Sequence, residues 1–278
     1  MPDGILLQTS LNTARSDKPA RLPDQVNVNF GPTQLVGEFI LKVDRRVREA
    51  GIRLSMSEDF GELYETNQKN SSDWYQLVPW YNPAYGQIEP GQGFWLRGID
   101  ASGATVLTHA VRLYPCESST LKEEIESLRM IYSDVAHRAD KRTRAVVTAP
   151  SAARIDGRIT CSGALWFRSD YRGKGLAGVI PRLTRAIALT RWAPDFHVTY
   201  VVKEKAAHGI TKVYGYDGHA DGISIFDMPG FPSPFELVVC SKRPEKVISE
   251  IEHELGRMRP SRPMPALADM PAASGQMN

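Results

Sequence analysis

The residues best suited to chemistry run from Leu165 to Gly178: Leu165-Trp-Phe-Arg-Ser-Asp-Tyr-Arg-Gly-Lys-Gly-Leu-Ala-Gly178. An apolar strand enters a basic, glycine-rich turn, and the turn opens into a helix predicted over Gly175 to Trp192 with Ile180, Leu183 and Ile187 on one face. The first amides of a helix lack intrahelical acceptors, and the helix dipole is positive at that end. Glycines let the chain approach an anion closely. Arg172 and Lys174 add positive charge at the same place. This is the chemistry of a diphosphate cradle. The plain alternative is a structural corner that happens to be basic, because short glycine motifs arise by chance.

Two other phosphate-binding turns fit poorly. Gly173-x-Gly175-x-x-Gly178 has dinucleotide-fingerprint spacing, but Arg168 to Arg172 intervene between strand and first glycine, and no carboxylate ends the next strand cleanly. A Walker turn is excluded: Gly173-Lys174 is followed by glycine, and the upstream glycine is missing.

The stretch Arg172-x-x-Gly175-x-Ala177 resembles the R/Q-x-x-G-x-G/A turn of GNAT N-acetyltransferases, here preceded by an Asp170-Tyr171-Arg172 step. The resemblance implies an acyl-CoA co-substrate, most often acetyl-CoA, and no metal. Backbone groups near Leu165 and Phe167 would pair with the pantetheine arm. The amides of Arg172, Gly173, Lys174, Gly175, Leu176 and Ala177 would hold the pyrophosphate. It is firm over about 159–216 and topological over about 33–114, and 115–157 reads as a helical insertion. Further along, Ala207, Ile210, Gly215 and Tyr216 match the family's later pattern. Thr211 stands where the family has its general-acid tyrosine, which leaves Tyr214, Tyr216 or a water for that role. The implied fold is α/β (α+β), a GNAT-like mixed, mostly antiparallel central sheet flanked by helices.

Direct acyl transfer needs a base for the amine and a proton donor for the departing thiolate. His109 lies on the second hairpin strand, which lines the acceptor cleft in the implied fold; His197 and Glu117 are comparable alternatives. The aromatic stretch with Trp74, Tyr75, Trp80 and Tyr81 reads as a long loop that either covers the acceptor site or packs on the core. The implied activity is transfer of an acyl group to a small-molecule or peptide amine. The alternative is a GNAT-like module that binds acyl-CoA without chemistry.

These residues need a scaffold. Leu35, Phe39, Val43 and Val47 mark a helix from Thr33 closed by Gly51. Gly93 to Ile99 and Thr105 to Tyr114 form a hairpin around Asp100-Ala-Ser-Gly103. Thr120 and Glu123 make a capping box before a helical face running to Val135. Strands are predicted at Arg158 to Arg168, His197 to Val202, Gly222 to Met228 and Phe235 to Ser241, with a short helix at Lys203 to Val213 and a last one from Pro244. Residues 1–30 read as an N-terminal arm with a strand at Val26 to Phe30, residues 31–256 as the domain, and 257–278 as a disordered tail.

Bulk properties set outer bounds. The 278 residues carry 34 Lys+Arg and 32 Asp+Glu, a net charge of +2, which points to neither nucleic acid nor a membrane surface. Three cysteines, Cys116, Cys161 and Cys240, are too few and too scattered for a disulfide framework or zinc ribbon. No segment has the apolar length of a membrane span, and the expected location is cytoplasmic. A homodimer is left open.

Overall fold

A computed structural model describes residues 20–132 and 142–258. Residues 1–19 of the arm, residues 133–141 with most of the connector, and residues 259–278 of the tail lie outside the described residues. Eight strands form one sheet: β1 Arg53–Ser57, β2 Gly93–Ile99, β3 Thr105–Cys116, β4 Arg144–Val147, β5 Gly157–Phe167, β6 Phe196–Val202, β7 Ala220–Phe226 and β8 Phe235–Lys242. Their order is β1-β2-β3-β5-β6-β8-β7-β4. Every neighbouring pair is antiparallel except β5 and β6. The mixed, mostly antiparallel central sheet expected from the sequence is therefore present.

Helices cover both faces. On one lie α1 Leu22–Gln25, α2 Thr33–Glu49, α5 Val179–Trp192 and α8 Pro244–Arg257, packed through Phe39, Val43, Ile180, Ile187 and Ile251. On the other, α3 Phe60–Lys69, two 3-10 turns at Pro79–Tyr81 and Pro83–Tyr85, and α4 Leu121–Glu126 close over Trp95, Ile159 and Val198. Two short helices, α6 Lys203–Ala207 and α7 Ile210–Val213, connect β6 to β7. They replace the single helix expected there, because Gly209 interrupts it at φ 80°.

Several expectations are corrected. The described end of the arm is docked: Leu22 is fully buried, Arg21 bonds the buried Asp44 at 2.6 Å, and the Phe30 amide donates to Thr190 O. No strand forms at Val26 to Phe30; instead the Asn27 carbonyl and the Phe30 amide both bond Thr190 near the end of α5. The helix predicted to Val135 is interrupted after Glu126, where Leu128 turns the chain at φ 65°; residues 133–135 of that prediction lie outside the described residues. The segment read as a helical insertion also supplies a strand, β4, which pairs with β7 at the sheet edge. The aromatic stretch holds two 3-10 turns, with Pro79, Trp80 and Tyr81 buried.

Candidate functional site

The site begins with an irregularity in β5. Ala164 and Leu165 together stand opposite His109 on β3, and Ala164 takes φ 52°. Such a bulge bends its strand and raises its local twist. The parallel pairing of β5 with β6 ends just before it, at Ser162 and Thr199. Beyond that point Gly163 to Phe167 stay with β3, and Tyr200 to Val202 stay with β8. The two strands therefore splay, and their facing edges share no ladder. A cavity of about 100 Å³ fills the opening.

All three residues singled out for catalysis line this cavity: His109, Tyr214 and Tyr216. Leu165, Pro181 and Arg185 also face it. Thr184 Oγ1 donates to Ile180 O at 3.1 Å, so it accepts from the Nδ1–H of His109 at 2.7 Å. That assigns Nε2 as the unprotonated nitrogen. Burial, helped by Arg185, pushes the His109 pKa down to about 3, so the ring is neutral across the physiological range. Burial pushes the Tyr216 phenol up to about 12 against the pull of Arg185, whose guanidinium carbon lies 4.7 Å from the ring centre. Burial also raises Tyr214. Both phenols therefore keep their protons at neutral pH.

The glycine turn follows β5, whose Leu165 lines the cavity, and precedes α5, whose Pro181 lines it; residues 172–178 are not themselves part of the lining. Gly173 and Gly175 take φ 76° and 69°, a region open to glycine without strain. Those two conformations delay the helix, which starts at Val179 rather than at the predicted Gly175. Residues 172–175 are exposed. Among the described residues, the amides of Gly173 to Gly178 donate to no acceptor, while those on either side bond Ser169 O and Leu176 O. Leu176 is buried in the core and anchors the turn.

The cations around the turn are not all those expected. Lys174 lies 4.1 Å from the Tyr171 ring centre and reaches Ala50 O at 3.2 Å. Arg46, from α2, reaches Gly175 O at 3.4 Å and was not legible in the sequence. Arg172 turns away: its Nε donates to Phe167 O at 3.0 Å, and its Nη2 pairs with Asp73 at 2.7 Å. The carbonyl of Phe167 is thus engaged within the chain, while Leu165 faces the cavity.

The four aromatic residues proposed for an acceptor cleft do not converge. Tyr81 is fully buried, and its hydroxyl donates to Cys161 O at 2.9 Å. Trp80 is buried edge-on to Tyr200. Trp74 stacks on Trp166 with centres 5.1 Å apart. Tyr75 is 81% exposed, with Lys205 near its ring. Only Trp74 and Tyr75 meet at a surface groove, of about 550 Å³.

His197 is neutral and buried, bonded to Thr160 at 2.7 Å. The three cysteines are buried, and burial pushes the Cys161 thiol up to about 12. Among the described residues no group of three or more His, Cys, Asp or Glu could hold a metal, and no helix is long and apolar enough to cross a membrane.

No family model matches the chain, and no curated protein matches it. Among solved structures, the chain is similar to a spermidine N-acetyltransferase, SpeG, from Vibrio cholerae, at 13% identity and a TM-score of 0.40, over 71% of this chain and 96% of that one. It is also similar to a structure described as a nucleotide-linked sugar GNAT, at 10% identity and a TM-score of 0.39, over 75% of this chain and 94% of that one. At these levels the likenesses transfer no residue roles. The functional reading rests on this chain's own geometry.

Proposed function

We propose that the protein is an acyl-CoA-dependent N-acyltransferase. The observation that carries this reading is the succession of two features along the chain. A turn whose six consecutive amides, Gly173 to Gly178, donate to no acceptor among the described residues directly follows the strand that splays from β6. A diphosphate suits the turn, since its amides, the start of α5, Lys174 and Arg46 all favour an anion. An extended amide-bearing arm suits the gap, whose two facing strand edges do not pair with each other. Acyl-CoA carries both parts, with its thioester at the inner end.

The chain's own groups fit direct transfer. Tyr214 and Tyr216 hold their protons and border the cavity, so either supplies a proton as the thiolate leaves. Water remains the third candidate for that step. Neutral His109 offers the Nε2 lone pair as a hydrogen-bond acceptor for the incoming amine. Its depressed pKa makes it a poor proton store, so it orients the nucleophile. As the nitrogen bonds the acyl carbon its proton leaves to water, the thiolate takes the tyrosine proton, and water restores the phenol. The acceptor is a small-molecule or peptide amine, and the cavity size favours a short acyl group such as acetyl.

Calorimetry with acetyl-CoA, followed by thiol release with a panel of amines, tests the reading. Saturable binding with amine-dependent release is expected; absence of binding by the unaltered protein contradicts it. Thr211, buried at the position where a general-acid tyrosine was expected, favours a second reading, an acyl-CoA-binding module without chemistry. Binding without release from any amine would support that module.

Two outcomes follow. Phenylalanine at the donating tyrosine, Tyr214 or Tyr216, should slow saturated thiol release by about 100-fold with acetyl-CoA affinity unchanged. Stopped-flow thiol detection on the two single variants identifies which one. Asp73→Ala should tighten acetyl-CoA binding by about fivefold, because it frees the Arg172 guanidinium and removes a carboxylate near the turn. The Arg172–Asp73 pair is half exposed, and such pairs contribute only about 1 kcal/mol. Titration calorimetry at two salt concentrations would read the change.

A further inference from the structure

Three consecutive carbonyls, those of Val213, Tyr214 and Gly215, each accept from a different cation. Arg182 Nη1 reaches Val213 O at 3.0 Å, Arg185 Nη2 reaches Tyr214 O at 2.8 Å, and Lys242 Nζ reaches Gly215 O at 2.5 Å. Carbonyls at a helix C-terminus lack intrahelical partners, and cations there are favourable. The three cations come from α5 and β8, far apart in sequence. They meet at one carboxylate. Glu250 on α8 pairs with Arg182 at 3.1 Å, Arg185 at 2.9 Å and Lys242 at 3.1 Å.

The cluster is tight. The side chains of Arg185, Lys242 and Glu250 are 1%, 8% and 10% exposed. Gly215 sits inside it at φ 89°, and a Cβ there would come within 2.1 Å of Glu250 Oε1. Three positive charges held against one helix end need a shared counter-charge, or their mutual repulsion and desolvation would drive them apart. Among the described residues only Glu250 touches all three; Glu254 reaches Arg182 alone of them, at 3.5 Å. The carbonyls so held belong to the backbone that places Tyr214 and Tyr216 at the cavity.

We infer that Glu250 is a positioning residue for the proposed acyl transfer, acting through Arg182, Arg185 and Lys242 to hold the Val213–Gly215 carbonyls and so fix the two tyrosines at the splayed strands. This rests on the acyl-transfer reading above. It extends that reading to a residue on the last helix, which does not line the cavity.

The test compares the unaltered protein with Glu250→Gln, Lys242→Gln and Tyr→Phe variants, using acetyl-CoA and the amine panel. Glu250→Gln should slow saturated thiol release by about 30-fold, with acetyl-CoA affinity within threefold and faster amide exchange at Gly215 and Tyr216. Lys242→Gln, which frees one carbonyl and leaves the other cations paired, should fold and show a smaller loss of the same kind. Adding the Tyr→Phe change to either variant should cost far less than it does alone, because the phenol is already misplaced; a merely structural role predicts multiplying losses. Unchanged rates in both variants, losses that multiply, or losses confined to acetyl-CoA affinity would overturn the inference while leaving acyl transfer standing. A silent unaltered protein would instead overturn the acyl-transfer reading, and this inference with it.

Discussion

Gly175→Glu is expected to weaken acetyl-CoA binding by about 1,000-fold, equivalent to about 4 kcal/mol, while leaving the fold intact. The position is exposed, and a Cβ there would approach only the mobile end of Arg46, at 3.1 Å. Steric damage to the core is therefore small. The new carboxylate would lie among amides Gly173 to Gly178, drawn by the same dipole and by Lys174 and Arg46. It would compete from within for the place of a phosphate. Gly175→Ala separates the contributions: it adds strain at φ 69° but no charge, and should cost about tenfold or less. Calorimetry on both variants, with circular dichroism as a folding check, reads the difference. Equal losses in the two would mean that backbone shape alone matters and that the turn is not an anion site.

Acid should destabilise the protein steeply below pH 6.5. His109 and His197 are both buried and neutral, and burial lowers each from 6.5 to about 3. Below 6.5 the unfolded chain takes up two protons that the native state refuses until pH is near 3. The unfolded state then binds more protons, so stability falls as pH falls. At pH 4.5 the two rings together remove on the order of 5 kcal/mol, a large share of the stability of an ordinary domain. Above 6.5 the contribution is complete and flat. Urea denaturation at pH 7 and pH 4.5 measures the drop. His197→Gln should abolish about half of it, because the amide can still meet Thr160 and does not titrate in this range. A drop unchanged in that variant would assign the acid sensitivity to the carboxylates.

The strand, turn and helix around Gly175 were legible because their signals are local: glycines, a basic pair and an amphipathic stripe within a few tens of residues. The hairpin and α8 were legible for the same reason. The exact helix start was not, since two glycines at positive φ place four more residues in the turn. Strand β1 buries only Leu54 and Ser55, too short a pattern to register as alternation. Strand β4 depends on β7 for its pairing, a partner about 80 residues away. Tyr81 and Trp80 look like ligand-gripping residues in sequence, but the turns that bury them are set by Pro79 and Pro83.

The largest gap concerns charge. Arg182, Arg185, Lys242 and Glu250 share no motif. One clue was present: Glu250 and Glu254 lie beside Val247, Ile251 and Leu255 on the inward stripe of α8. A carboxylate on such a stripe demands a buried partner, but nothing in the sequence names it. Arg46 and Asp73 reach the glycine turn across more than 90 residues, which periodicity does not reveal.

Amide resonances of the uniformly labelled protein, followed while acetyl-CoA is added, probe the glycine turn itself. Saturable shifts centred on Gly173 to Gly178, joined by Leu165 and Tyr214, are the predicted result. Binding that leaves those six amides unmoved, or that perturbs a different surface, would contradict the assignment of the turn as the acyl-donor site.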